Sequence, residues 1–155
     1  RHRGLEASLA SHLGKRFSLL GGAVLMQPRV TGSARQLGLL GKRPAGTPSL
    51  YAKVDANYRT DIFGGLTPTA SLTYTGKRAG GSRPQPGLGG GQLMVRGYAA
   101  LDLGLRQSFK VGKVPASFRF IAYNVFDAAS WKVVAPNSIY MDERRRYNLS
   151  VTADF

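Results

Sequence analysis

Residues able to do chemistry are few and scattered in this chain. Its 155 residues include two histidines, eight carboxylates and no cysteine. That removes disulfide scaffolds, thiolate zinc sites and thiol nucleophiles. His2 and His12 stand far from any paired ligand pattern, and His12, near a strand end, reads as an interfacial polar residue rather than a metal ligand. Glu6, Asp55 and Asp102 alternate onto the same face as Lys53, Arg59, Arg106 and Arg119. Paired carboxylates can do acid–base work, but carboxylates interleaved with cations read as a charge ladder along a polar surface. The run Gly87 to Gly91 does not follow a strand and open a helix, so it is not a phosphate or dinucleotide loop; a flexible loop is expected there. Asn148-Leu149-Ser150 matches a glycosylation sequon but falls inside a strand. The expectation is a protein that is not an enzyme and carries no cofactor or metal.

The elements that must position these residues are strands. Alternation with a period of two dominates the chain. Segment 3–13 sets Leu5, Ala7, Leu9, Ser11 and Leu13 on one face; a turn at 14–16 follows. Segment 17–29 is apolar on both faces, so its register is open, and Gly21-Gly22 suggests a bend or bulge. Residues 50–59 alternate cleanly, then a turn at 60–65 leads to 66–77. Segments 97–109 and 116–126 flank a turn at 110–115, and the last segment is 145–155. Connections therefore alternate: short at 14–16, 60–65 and 110–115, long at 30–48, 78–96 and 127–143.

Composition narrows the class. Lys and Arg number 22 against 8 Asp and Glu, a net charge of +14, which suits a polyanion, an anionic lipid surface or an anionic small ligand. The only tight cluster is Arg144-Arg145-Arg146, and the other cations fall singly or in pairs, unlike a basic helix or tail. Fifteen aromatic residues (7 Tyr, 7 Phe, 1 Trp) are too many for a disordered basic segment. No apolar run reaches the roughly 18 residues of a transmembrane helix. Transmembrane β-strands leave no such run, and strands of about ten residues suit a tilted bilayer crossing. Long connections all at one end fit an outer-membrane barrel better than a sandwich. Phe17, Tyr58, Phe63, Tyr74, Tyr98, Phe109, Trp131 and Tyr147 lie near strand ends, where interfacial aromatics are expected.

Four motifs carry a resemblance. The stretch Arg146-Tyr147-Asn148-Leu149-Ser150-Val151-Thr152-Ala153-Asp154-Phe155 resembles the C-terminal signature of bacterial outer-membrane proteins. Asn124-Val125-Phe126-Asp127 resembles the Asn-Leu-Phe-Asp motif in the penultimate strand of TonB-dependent receptors. Gly41-Lys42-Arg43-Pro44-Ala45-Gly46-Thr47-Pro48 resembles the stretch entering an earlier strand of that family, and Arg3-Gly4-Leu5-Glu6 its Arg-x-Gly-x-Glu strand opening. The resemblance covers the whole chain, but only about the last third of a 22-stranded barrel whose lumen is plugged.

The resemblance implies an all-β fold: an antiparallel transmembrane barrel wall of seven up-and-down strands, or eight if Lys132–Ala135 or Gln92–Val95 adds one. Residues 1–155 then form the C-terminal segment of the barrel, without plug domain or TonB box. A start at Arg1 rather than Met fits a processed product or fragment. The implied setting is the bacterial outer membrane, with lipid and lipopolysaccharide around the wall. The implied function is uptake of a ferric siderophore or similar chelate, iron entering only as cargo. TonB would act through the missing plug, and the barrel-assembly machinery would read Tyr147, Leu149, Val151 and Phe155. Siderophores are generally anionic and partly aromatic, so the ligand contacts expected in the outer loops are Arg35, Lys42, Arg43, Arg78, Arg83, Trp131 and Tyr140. Two other classes compete. One is a complete eight-stranded barrel with a structural or adhesion role, which requires the first and last strands to pair. The other is a soluble basic β-protein that binds nucleic acid; the C-terminal pattern and one-ended long loops argue against it, and no nucleic-acid partner is expected.

Overall fold

The computed structural model describes residues 1–154; Phe155, one of the expected assembly-signal residues, lies outside the described residues. In chain order the strands are β1 (Gly4–Leu13), β2 (Phe17–Met26), β3 (Leu50–Tyr58), β4 (Thr67–Thr75), β5 (Arg78–Ala79), β6 (Met94–Val95), β7 (Tyr98–Val111), β8 (Val114–Tyr123), β9 (Trp131–Ala135), β10 (Ser138–Met141) and β11 (Arg146–Ala153). Seven of them make one antiparallel meander in the order β1-β2-β3-β4-β7-β8-β11. The other four form two separate two-stranded ladders, β5 with β6 and β9 with β10. The segments 132–135 and 92–95 are thus ladders of the long connections, not an eighth wall strand. β1 and β11 are the two ends of the sheet and do not pair among the described residues.

The register sorts side chains with near-complete fidelity. Residues directly opposite one another share a face, so the pairs Leu9↔Gly21, Gly21↔Val54, Val54↔Leu72 and Leu72↔Leu101 run along one side of the sheet. Leu103↔Ala122 and Ala122↔Tyr147 continue that side to β11. This apolar face carries no charged residue in its paired strands, and Ser11 and Gln107 are its polar exceptions apart from tyrosine hydroxyls. Gln107 lies near the short connections, where its amide donates to the Phe63 carbonyl at 2.6 Å. The opposite, polar face collects Glu6, Lys53, Asp55, Asp102, Arg106, Arg119 and Arg146.

β2 resolves the register that its sequence left open. Phe17, Leu19, Gly21, Ala23 and Leu25 join the apolar face, while Ser18, Leu20, Gly22, Val24 and Met26 lie on the polar one. Gly21 and Gly22 pair in regular register, with no bulge. The turn expected at 110–115 shrinks to Gly112-Lys113, because Val111 pairs directly with Val114. Gly112 has φ 63°, the left-handed conformation that such a tight hairpin demands and glycine adopts without a Cβ clash. Among the boundary aromatics, Phe17, Tyr58, Tyr74, Phe109 and Tyr147 lie on the apolar face. Tyr98 opens β7 on the polar face, Trp131 opens β9 in a long connection, and Phe63 lies in the turn between β3 and β4.

This sheet has no second layer. Among the described residues only Ala79, Val95 and Ala116 are buried hydrophobics, while Leu5 is 75% exposed and Leu149 65%. The chain of 16.7 kDa exposes 10673 Å², against roughly 7,600 Å² for a compact monomer of that mass. Backbone ladders hold the wall together, and its apolar face needs an apolar environment. Both edges also present unpaired backbone groups, a template for aggregation. In detergent-free buffer the isolated 155-residue chain is expected to self-associate, and light scattering checks this; a monodisperse monomer would contradict the open, single-layer wall.

Candidate functional site

All three long connections, 27–49, 76–97 and 124–145, leave the sheet at one end, and they are built rather than loose. The Gln92 side chain ties the first two together: its amide donates to the carbonyls of Arg43 at 2.8 Å and Gly81 at 2.9 Å, and its oxygen accepts the Arg43 N–H at 2.9 Å. Ala45 bridges Ala79 in parallel fashion, and the Gly41 N–H donates to the Ser82 carbonyl at 2.8 Å. The third connection joins through the Asn137 N–H, which donates to the Gly80 carbonyl at 2.9 Å. The glycine run 87–91 forms a 3₁₀ turn at Pro86–Leu88, closed by a bridge between Gln85 and Gly91.

Asn124-Val125-Phe126-Asp127 is the strongest knot. Asn124 and Asp127 have φ values of 48° and 54°, left-handed positions that Asn and Asp tolerate better than other non-glycine residues. The Asn124 amide group exchanges hydrogen bonds with the Ala128 backbone, both at 3.0 Å, and its own N–H donates to Asp102 at 2.8 Å. Asp127 accepts two bonds from the Arg144 guanidinium, at 2.9 and 2.7 Å, and one from the Arg145 N–H at 2.8 Å. The Arg144 bonds hold the Asp127 carboxyl well below the usual carboxylate range, with the Arg145 N–H adding to the effect, and Asp127 in turn raises the Arg144 guanidinium. Arg146 pairs with Glu143 at 2.6 Å and lies 3.9 Å from the centre of the Tyr123 ring. The tight Arg144–Arg146 cluster is therefore engaged locally, as a clasp on the third connection.

A second knot centres on Asp142. Burial alone would raise its carboxyl, but bonds from Lys132 at 2.7 Å, the Glu143 N–H at 2.9 Å and the Tyr98 hydroxyl at 3.2 Å bring it below the ordinary value. Lys132 is raised, chiefly by its hydrogen bond to Asp142. These contacts fasten the β9–β10 hairpin to the end of β7.

The candidate ligand residues separate into groups. Arg35, on the single-turn helix α1 (Ser33–Gln36), lines one groove together with Lys42, Arg43 and Arg29. None of the four is in an ion pair among the described residues. Arg29 was not singled out from the sequence, because it closes an apolar segment and only the fold of 27–49 brings it beside Lys42. Trp131 lines a second groove with Arg96, Tyr98 and Ile139. Tyr140 lies across the hairpin from Lys132 and is exposed, and Arg83 is exposed and belongs to neither groove. Arg78 is different: it is 4% exposed, its guanidinium donates to the carbonyls of Gly76 and Trp131, and it lies 5.7 Å from the centre of the Tyr98 ring. In this structure it braces the loops from inside instead of meeting solvent. The charge ladder expected on the polar face is only partly formed: Lys53 pairs with Asp55 at 3.2 Å, but Glu6 has no ion-pair partner among the described residues.

A single-layer up-and-down meander with a charge-free face and one-ended long loops has the architecture of a barrel-wall segment. No protein-family model matches the chain, and no curated protein matches it. Solved structures do. The ferric preacinetobactin receptor BauA of Acinetobacter baumannii superposes with TM-score 0.82 at 29% identity, over 99% of this chain and 22% of that one. The ferric-catecholate import receptor Fiu of E. coli K12, in its closed form, gives 0.72 at 19% identity, covering 96% and 20%. FpvA of P. aeruginosa, in complex with a heterologous pyoverdine and iron, gives 0.68 at 18%, covering 97% and 19%. The chain thus matches a fragment of the barrel of TonB-dependent siderophore receptors and spans about a fifth of the length of the receptors it resembles.

The depressed Asp127 carboxyl sets a pH expectation. Its contribution to loop anchoring is present above its unfolded value, near 3.9, and is lost only as pH falls through its lower folded value. Amide exchange in residues 128–145 is therefore expected to stay unchanged in protection from pH 8 down to about 5, while Asp127→Ala exposes the segment across that range. Equal protection in the variant would show that the clasp does not hold the loop.

Proposed function

We propose that this chain is the C-terminal part of the barrel wall of a TonB-dependent outer-membrane receptor that takes up a ferric siderophore or a similar anionic chelate. One observation carries the reading: a charge-free apolar face runs unbroken across seven strands, while every long connection and a four-cation groove lie together at one end. The apolar face suits lipid. The groove of Arg29, Arg35, Lys42 and Arg43 suits an anion, because guanidinium groups donate planar, charge-assisted hydrogen bonds. The Trp131 groove, with Arg96 beside it, offers a stacking surface for an aromatic chelator.

The remaining assignments rest on this reading. Lipopolysaccharide would meet the outer loops, the barrel-assembly machinery would read the strand containing Tyr147, Leu149 and Val151, and TonB would act through a plug outside this stretch. The role is transport, and the solved neighbours are likewise receptors rather than enzymes. A closed eight-stranded barrel has no support here, because β1 and β11 stay apart and both candidate extra strands are tied into separate ladders.

The deciding experiment is uptake of iron-loaded siderophores by cells making the native polypeptide that contains this stretch, with and without a functional TonB system. Energy-dependent uptake is expected, and Arg35→Gln, Lys42→Gln and Arg43→Gln together are expected to weaken chelate binding by about tenfold or more. Uptake that ignores TonB, or a native mass near that of this chain, would overturn the receptor reading. Membrane placement has its own check. Leu72→Arg, on the apolar face, is expected to destabilise the lipid-folded protein by about 2–4 kcal/mol, and Ser71→Arg, on the opposite face, by much less. Urea titration in lipid vesicles measures both, and equal costs would refute a lipid-facing side.

A further inference from the structure

The end of the polar face near the short connections carries a feature that the receptor reading does not use. The register places Arg106 of β7 directly opposite Arg119 of β8. Thr67 flanks Arg106 on β4, and Ser150 flanks Arg119 on β11. The same row continues beyond Thr67 to Arg59 and Arg16, which are joined by a backbone hydrogen bond of 2.8 Å. Four arginines thus lie along one rung of the sheet.

Like charges directly opposite one another on neighbouring strands are destabilising, so the rung calls for compensation. The nearby carboxylates do not supply it. Asp61 is taken by Arg16 at 2.5 Å and Asp55 by Lys53 at 3.2 Å, and Asp102 accepts the Asn124 N–H at 2.8 Å. Among the described residues Arg59, Arg106 and Arg119 have no ion-pair partner. Arg119 also lines a recess with Lys53, Asp55 and Asp102, without an ion pair to either carboxylate, and Lys15 and Arg16 add further positive charge beside Arg59. Asn57, Thr69, Ser117, Ser150 and Thr152 line one recess with Arg106 and Arg119, and Arg59 and Arg106 line the adjoining one with Thr67 and Ser108.

We propose that Arg106 and Arg119, flanked by Arg59, form a binding site for an oxyanion, a carboxylate or phosphate group held between two guanidinium forks and the neighbouring hydroxyls. Directly opposed residues have Cα atoms about 4.5–5.5 Å apart, close enough for both forks to reach one group. Such charge-assisted bonds are the strongest a side chain makes. The site lies at the opposite end from the four-cation groove, so it serves a different occupant. That occupant is either a free oxyanion from solution or a carboxylate from polypeptide outside this stretch.

Thermal unfolding of the detergent-folded native polypeptide tests this, with and without inorganic phosphate, for the wild type, for Arg106→Gln/Arg119→Gln and for Lys110→Gln as a charge control. A free oxyanion predicts that phosphate raises the wild-type midpoint and that the double variant loses most of the effect while Lys110→Gln keeps it. A carboxylate from the same protein predicts no response to phosphate and a lower midpoint in the double variant. An unchanged or higher midpoint in the double variant, with the phosphate response absent or equal in all three proteins, would overturn the proposal, because removing uncompensated repulsion can only help. If the double variant does not fold, Arg119→Lys keeps the charge without the fork. It is then expected to weaken the phosphate response or lower the midpoint, and behaviour identical to wild type would overturn the site.

Discussion

Everything in this structure depends on the strand's period of two acting without a second layer. A soluble sandwich buries one face of each sheet against another sheet. Here the apolar face has no protein partner among the described residues, and leucines or valines stand exposed on it in every wall strand except β8. Hydrogen-bonded ladders fix the geometry, and the surrounding medium must supply the rest of the driving force. The cost of placing a charge on that face explains why no cation lies on it within the paired strands. The cations lie on the polar face, in the connections and in the residues before β1, so a large net charge coexists with a continuous apolar surface.

The long connections obey a different rule. Their backbone leaves the sheet and must satisfy its polar groups elsewhere. Side chains with both donor and acceptor capacity do much of this work. Gln92 serves two segments at once, Asn124 closes a turn on Ala128, and Asp127 and Asp142 each collect several donors. Arg78 spends its guanidinium on two main-chain carbonyls. The result is a shaped end in which a few cations remain unpaired. A surface that binds an anionic solute gains from such preorganisation, since less disorder has to be removed on binding.

Much of the wall was legible in the sequence. Clean alternation in 50–59 and 145–155 and the spacing of short and long connections gave the meander and its direction. Other elements were not legible, for physical reasons. β2 carries Leu20, Val24 and Met26 on the polar side, so its period-two signal is blurred and only pairing with β1 and β3 settles it. The hairpin at Gly112-Lys113 was masked because Lys110 and Pro115 resemble turn residues, although both continue their strands. Arg78 looked like an outward cation, and nothing local marks it as buried, since its carbonyl partner on Trp131 is remote in sequence. The groove of Arg29, Arg35, Lys42 and Arg43 depends likewise on how 27–49 folds back. The opposed Arg106 and Arg119 could be placed on one face from alternation, but their direct apposition required the register.

The two-residue link at Gly112-Lys113 bears on how the wall is made. Neighbours joined by short links close small loops and lose little chain entropy, whereas joints across 27–49, 76–97 and 124–145 close larger ones. The sheet is thus kinetically a set of three ready hairpins, β1–β2, β3–β4 and β7–β8, with β11 as a final strand. Zippering between them waits on the slower joints, and the side-chain clasps of the long connections sit where that delay would be greatest. The order of assembly is written in the alternation of connection lengths, quite apart from what the finished wall encloses.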